Sequence, residues 1–350
     1  MGVIILNILL LLIYALMIEL SSLNKKTQHF IFLTIAFIHL MLLHTFFDTA
    51  LFPDLKGYFI FFNSFSNPKP LFNIKYYESS QFEIGWHFLN EFLHGISKNS
   101  FLLLFFVSLA MIMFYIITIY RYSAIPWLSI FILLCTVFYD SLFVLRQHLA
   151  IAICIMSVPY IIERKPIKFG ILTFLAVSFH YSAIVWFLAY FIYPFKINKG
   201  FYFKLIVFSS LLYFFMEILL INVINLTSKI MAYTVSNNSG GAGALKNAVV
   251  NLSIIGLCFI CFGNPNRITG YNKLFFQLTV VAFSLNIIDY FGTSFVLFSR
   301  LNLYFSTFSI LLIPNALANI NNKRLYILTP VICISYLFLL RSIAQYGYGF

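Results

Sequence analysis

Residues 139–182 read YDSLFVLRQHLAIAICIMSVPYIIERKPIKFGILTFLAVSFHYS. The stretch spells two long apolar helices joined by a short basic loop. The first carries Arg146, Gln147 and His148 near its start, and the second breaks at His180. Charge inside an apolar run is costly and therefore rare; where it occurs it faces a polar cavity or another polar group.

Outward from this stretch the chain is built for lipid. It is 62% hydrophobic, 20% aromatic and only 9% charged, where a soluble domain carries about 25% charged residues. Successive runs of roughly 18 or more apolar residues read as membrane spans. They do not alternate as barrel strands do, and inside a bilayer the backbone must satisfy its own hydrogen bonds. The expected class is an all-α, polytopic integral membrane protein, a single membrane domain over 1–350 with about 12 transmembrane or re-entrant helices. Residues 3–18 lack a basic segment before them and are taken as a span, not a signal peptide. Net charge is +12, from 22 Lys and Arg against 10 Asp and Glu. In this class that excess belongs to cytoplasmic loops and membrane lipids, and no nucleic-acid partner is expected. Cys135, Cys154, Cys258, Cys261 and Cys333 all lie in apolar runs and read as small core residues.

The expected spans are about 3–20, 30–47, 100–120, 126–139 and 142–162. Apolar residues then run from about 168 to 195. One helix of that length would measure about 42 Å, too long for a core of about 30 Å. Two shorter helices meeting near His180 are expected instead. Further spans fall at about 204–222, 249–263, 274–290, 295–314 and 325–342. Two longer segments remain, 48–99 and 223–248. In the first, Ser80-Gln81-Phe82-Glu83 has the form of a capping box. Phe82, Phe88, Leu89, Phe92, Leu93 and Ile96 follow at helical spacing, as in an amphipathic helix lying in the membrane interface. The second ends in the glycine-rich run 237–243, read as a mobile connection or a gate.

With the N-terminus outside, the short inner loops receive Lys25, Lys26, Arg121, Arg164, Lys165, Lys168, Lys196, Lys199, Lys204, Arg267, Lys273, Lys323 and Arg324. That is the pattern of basic residues kept inside, and it favours the break at His180, without which Lys196, Lys199 and Lys204 would land outside. Asp54, Tyr58, Asp140, Arg146, His180, Asp289 and Arg300 then share the outer side. Tyr304 lies four residues after Arg300 on the same helix face. Two arginines at similar depth suggest an anion site, because arginine binds phosphate bidentately and keeps its charge. As plain snorkelling cations they would be replaceable by lysine. His180 also reads as a core histidine at a helix break, and Glu83 as a helix cap. His87, Glu91 and His94 stand at i, i+4 and i+7, a spacing zinc can use, but on a face expected to be exposed. Neither they nor Cys258-x-x-Cys261 make a persuasive metal site, and no cofactor is expected.

Leu145-Arg146-Gln147-His148-Leu149-Ala150, then a basic loop, then Phe179-His180-Tyr181-Ser182-Ala183, resembles the EpsG-like branch of the Wzy-type polysaccharide repeat-unit polymerases. Asp54 and Tyr58, Glu83-Ile84-Gly85, and Arg300, Tyr304 and Pro314 look like flanking elements of the same family, so the resemblance runs over roughly 50–315. His148 departs from it, since the family more often has an apolar or small residue there. The resemblance implies a metal-independent glycosyltransferase of the bacterial cytoplasmic (inner) membrane. It would join undecaprenyl-diphosphate-linked oligosaccharide repeat units at the outer face, into O-antigen or capsular or exopolysaccharide, alongside a chain-length regulator. His180, Asp54 and Arg146 would be its catalytic residues. Arg146, Gln147, Arg300, Tyr304, Tyr58, Asp140 and Glu83 would bind diphosphate and sugar. The rivals are a flippase for lipid-linked oligosaccharide, a membrane O-acyltransferase and an O-antigen ligase. A transporter would carry paired repeats and polar groups at mid-membrane, and no repeat stands out here.

Overall fold

In the computed structural model, residues 2–47, 52–66, 82–198, 200, 204, 207, 240–291, 296–320 and 328–337 are described. All regular structure among them is helical. The chain divides into two compact units, one formed by Met1–Tyr160, Lys165–Ile184 and Asn321–Phe350, the other by Ile161–Arg164 and Val185–Ile320.

The first unit contains α1 (Gly2–Glu19), α2 (Lys25–Thr45), α3 (Pro53–Asn63), α4 (Ile84–Ile96), α5 (Phe101–Tyr122), α6 (Pro126–Leu133), α7 (Asp140–Phe143), α8 (Leu145–Met156) and α9 (Pro166–Phe179). Asn24 caps α2, its side chain accepting the Thr27 N–H at 3.0 Å. Proline opens α3, α6 and α9, where its missing N–H costs nothing. Between α6 and α7 the helix widens into one π-helical turn, Leu134–Phe138, a device frequent near functional sites. Val144 then leaves helical geometry and α8 starts afresh at Leu145. Within this unit α8 packs against α5 and α9, α5 against α2, and α4 against α9.

The second unit contains α10 (Phe187–Ile192), α11 (Gly240–Phe262), α12 (Gly270–Phe291), α13 (Val296–Ser306) and α14 (Ser309–Leu317). Here α12 packs against α11 and α13. The Arg164 guanidinium donates to the Tyr190 carbonyl at 2.6 Å and lies 3.8 Å from the centre of that ring. Gln277 donates from its amide to the carbonyls of Ile192 at 3.3 Å and Phe195 at 2.7 Å, closing the end of α10.

Among the described residues, five helices are long and apolar enough to cross a membrane: Lys25–Thr45, Phe101–Tyr122, Pro126–Phe143, Gly243–Phe262 and Gly270–Tyr290. Shorter apolar helices run over Ile5–Glu19, Leu145–Met156, Pro166–Phe179, Tyr181–Ile192 and Leu328–Leu337. Many large apolar side chains stay exposed, Leu16, Met17, Ile167, Ile171 and Phe174 among them. The molecule is a multi-pass membrane protein. The break expected at His180 is present: α9 ends at Phe179, His180 is extended, and a 3₁₀ turn over Tyr181–Trp186 leads into α10.

Three local readings change. The expected span at 142–162 is interrupted at Ser157, and that at 295–314 between Ser306 and Ser309. Gly240–Gly243, read as loose connection, is the first turn of α11, whose apolar continuation carries the helix back into the glycines. The third concerns α4. Its exposed edge is Ile84, Phe88, Phe92 and Ile96, while Trp86, His87, Asn90, Leu93 and His94 are buried. His87 and His94 lie against Phe61 and Phe62 of α3, at ring distances of 4.8 and 5.0 Å. The face expected to be exposed and polar is therefore the buried one. The bare apolar edge is the one a lipid surface accepts. Of the expected span 204–222 all but 204 and 207 lie outside the described residues, as do 48–51 and 67–81 of the first long segment and 223–239 of the second.

Candidate functional site

Three helix ends of the first unit meet: the start of α4, the start of α8 and the end of α9. Each leaves backbone groups that its own helix cannot satisfy. Glu83 is the N-cap residue of α4, and its carbonyl accepts the His87 N–H at 3.0 Å. Its side chain makes no capping bond. The capping-box reading, which placed Glu83 three residues inside a helix, is thus overturned, because the helix begins only at Ile84. The freed carboxylate pairs with the Arg146 guanidinium through Oε2. Through Oε1 it accepts the backbone N–H of Tyr181 at 3.2 Å.

Arg146 stands in the first turn of α8, where the helix presents its positive end. Its guanidinium lies 4.6 Å from the centre of the Phe82 ring and 5.8 Å from that of Tyr58. Tyr58 is buried and packs at 5.2 Å against Trp86. The two charged side chains are largely shielded, at 13% exposed for Arg146 and 6% for Glu83. Taking both out of water is tolerable only because they are paired and hydrogen-bonded.

His180 closes α9, its N–H bonded to the Ala176 carbonyl at 3.0 Å. Its Nδ1 receives the Ser182 hydroxyl at 2.7 Å and the Ser182 N–H at 3.3 Å. A backbone N–H can only donate, so Nδ1 is the acceptor and a neutral ring carries its proton on Nε2. Gly85 makes the junction possible. A Cβ there would sit 2.7 Å from the Ser178 carbonyl oxygen, nearer than any side chain can approach. Glu83, Gly85, Arg146, His180 and Ser182, drawn from three separate stretches of sequence, thus form one cluster.

Other expected residues lie elsewhere. Asp140 opens α7 and pairs with His148, Nε2 to Oδ2 at 2.8 Å. Of the two residues flanking Arg146, His148 therefore faces away, and Gln147 is buried. Asp54 is exposed in the first turn of α3, one turn before Tyr58. Arg300 and buried Tyr304 are on α13 in the second unit. Among the described residues, no three His, Cys, Asp or Glu side chains gather as a metal site. The sequence pattern placed Phe82 on the apolar stripe of the interfacial helix, whereas it precedes α4 and meets Arg146, and it gave no role to Ser182 or the Tyr181 N–H. Ser182 stood in the motif quoted around His180 and Phe82 beside Glu83, but local sequence does not say which distant residue each would meet.

The elements that converge are those on which the sequence resembled a polymerase family, and a family model matches residues 30–349. The chain belongs to the EpsG family. No curated protein and no solved structure matches it. EpsG membership, together with the apolar helices, makes this a membrane protein of polysaccharide biosynthesis.

Proposed function

We propose that this EpsG-family protein is a metal-independent polymerase. It joins undecaprenyl-diphosphate-linked oligosaccharide repeat units at the outer face of the bacterial cytoplasmic membrane. The observation that carries the reading is the buried Arg146–Glu83 pair at the first turn of α8, with His180 and Tyr181 beside it. In such a transfer negative charge grows on the departing diphosphate. A fixed guanidinium at a helix N-terminus stabilises that charge without reorganisation. As the family resemblance implies, Gln147 and Asp140, and separately Arg300 and Tyr304 of α13, contact diphosphate or sugar. Tyr58, buried with the Arg146 guanidinium over its ring, helps hold that guanidinium where the substrate binds. His180, oriented by Ser182, donates through Nε2 to a substrate oxygen. Asp54 stands at the exposed start of α3, where the acceptor chain approaches.

The test is polysaccharide banding on a gel from a null strain carrying wild type, Arg146→Ala or His180→Ala, at matched membrane abundance. The reading predicts a ladder for wild type and a single lipid-linked repeat unit for both variants. Repeat units that never reach the outer face in the null strain would identify a flippase. A normal ladder that lacks only acyl groups would identify an acyltransferase, and a normal polymer that fails to reach its final lipid acceptor a ligase.

A further inference from the structure

We propose that Glu83 sits in the seat of the substrate's diphosphate, is displaced from it on binding, and then takes the proton of the acceptor hydroxyl. This rests on the polymerase reading and gives a chemical role to the carboxylate of the pair on which that reading stands.

The two oxygens of the Glu83 carboxylate are used separately, one by the Arg146 guanidinium and the other by the Tyr181 N–H. Two donors from different helices, spaced to hold two oxygens of one anion, are the elements of a phosphate site. In the resting protein the anion they hold is the protein's own. A lipid diphosphate carries more charge than a carboxylate and offers more acceptor oxygens, so it is the stronger partner for the same donors.

Nothing in α4 requires the Glu83 side chain to stay. The helix is anchored by the Glu83 carbonyl, which holds the His87 N–H, and the side chain itself caps nothing. Gly85 against Ser178 fixes the backbone of the junction independently. The carboxylate can swing while the helix remains in place.

Glycosyl transfer forms a bond between the acceptor hydroxyl oxygen and the anomeric carbon. The bond from that carbon to the diphosphate oxygen breaks, and its electron pair leaves with the diphosphate. The hydroxyl proton needs an acceptor. The Nδ1 lone pair of His180 is taken by Ser182, and Nε2 holds the ring proton. A carboxylate just released from Arg146, next to the His180–Tyr181 peptide, has vacant lone pairs in the right place. Substrate binding thereby both fills the anion seat and frees the base. The proton passes from Glu83 to water once the diphosphate has left.

The test uses the full-length protein in lipid nanodiscs, with undecaprenyl diphosphate as the binding probe and lipid-linked repeat units for turnover. Glu83→Gln keeps an oxygen for the Tyr181 N–H and removes the competing charge. It is expected to bind the probe about tenfold more tightly than wild type and to form no polymer. Glu83→Asp, whose shorter carboxylate grips Arg146 less firmly, is expected to bind more tightly than wild type with turnover reduced but present. It carries the test if the glutamine variant does not fold. Binding by either variant that is equal to or weaker than wild type would overturn the displacement, since Glu83 would then be supporting Arg146. Wild-type turnover in Glu83→Gln would overturn its role as proton acceptor. If the wild-type protein neither binds undecaprenyl diphosphate nor makes polymer, the polymerase reading itself falls.

Discussion

The first unit contains two buried polar clusters of opposite character. One lies inside the helix bundle. His44 receives or gives hydrogen bonds on both ring nitrogens, to Ser108 at 2.7 Å and Ser141 at 2.9 Å. The two hydroxyls also reach the carbonyls of Leu104 and Phe138, each at 2.6 Å. Beside it, Asp140 pairs with His148. The other cluster, Glu83, Arg146, Tyr181 and His180, lies where helices begin and end. In the first, helix-interior side chains satisfy one another and tie α2, α5 and the π-helical turn together. In the second, a full charge pair is held where helices begin and end, with the Tyr181 N–H on the same carboxylate. A closed network of hydroxyls and imidazole holds a fold; a charge pair at helix ends makes a site.

Breaking the charged cluster has the largest expected effect. Arg146→Ala should lower polymer synthesis by about 10²–10³, measured as chains formed per folded protein. Arg146→Lys should recover only part of that, since an ammonium cannot span two oxygens as guanidinium does. Gly85→Ala comes next. Its methyl group meets the Ser178 backbone, so α4 must move off α9. We expect a loss of about 1–3 kcal/mol in stability and a fall in turnover of about tenfold or more from the displaced Glu83, read by thermal unfolding and a chain-length assay together.

The neutral cluster should respond in the opposite sense. His44→Ala opens a cavity and removes the partner of two buried hydroxyls, costing about 2–4 kcal/mol. The specific activity of the protein that remains folded should be unchanged. Loss of activity without loss of stability would erase the distinction between the clusters.

The smallest effect is on pH. Burial lowers the readiness of His87 and His94 to take a proton. For His94 nearby Lys98 adds to this and the Phe62 carbonyl opposes it. The unfolded chain then binds more protons than the folded one below the usual histidine value of about 6.5. Stability contributed by the α3–α4 seam is present above that pH and is lost as pH falls through it. The thermal midpoint should decline from pH 7.5 to 5.5, and His94→Gln should flatten the decline.

Much of the fold was legible because composition and hydropathy report the solvent directly. Even the break at His180 followed from helix length and loop charge. The interruptions at Ser157 and near Thr307 were not legible, because an apolar run reads the same whether its helix is continuous or restarted. At the site, Arg146 and His180 were marked by the oddity of polar groups in apolar surroundings. Glu83 was misjudged for a definite reason: a local pattern four residues long suggested a cap, while its partner lies 63 residues away. The same limit inverted α4. Periodicity gave its two faces, but which face is buried depends on Phe61 and Phe62 of α3 and on whether the outside is water or lipid.

The central claim is that the Arg146–Glu83 pair is there for chemistry rather than for folding. Replacing both members together, Arg146→Met with Glu83→Gln, removes the charges without leaving either one buried alone, a change buried pairs often tolerate with little loss of stability. The measurement is polymer formation from lipid-linked repeat units by this double variant in nanodiscs, alongside its unfolding midpoint. We predict a midpoint close to wild type and no polymer. A double variant that polymerises at the wild-type rate would contradict the account and reduce the pair to a structural one.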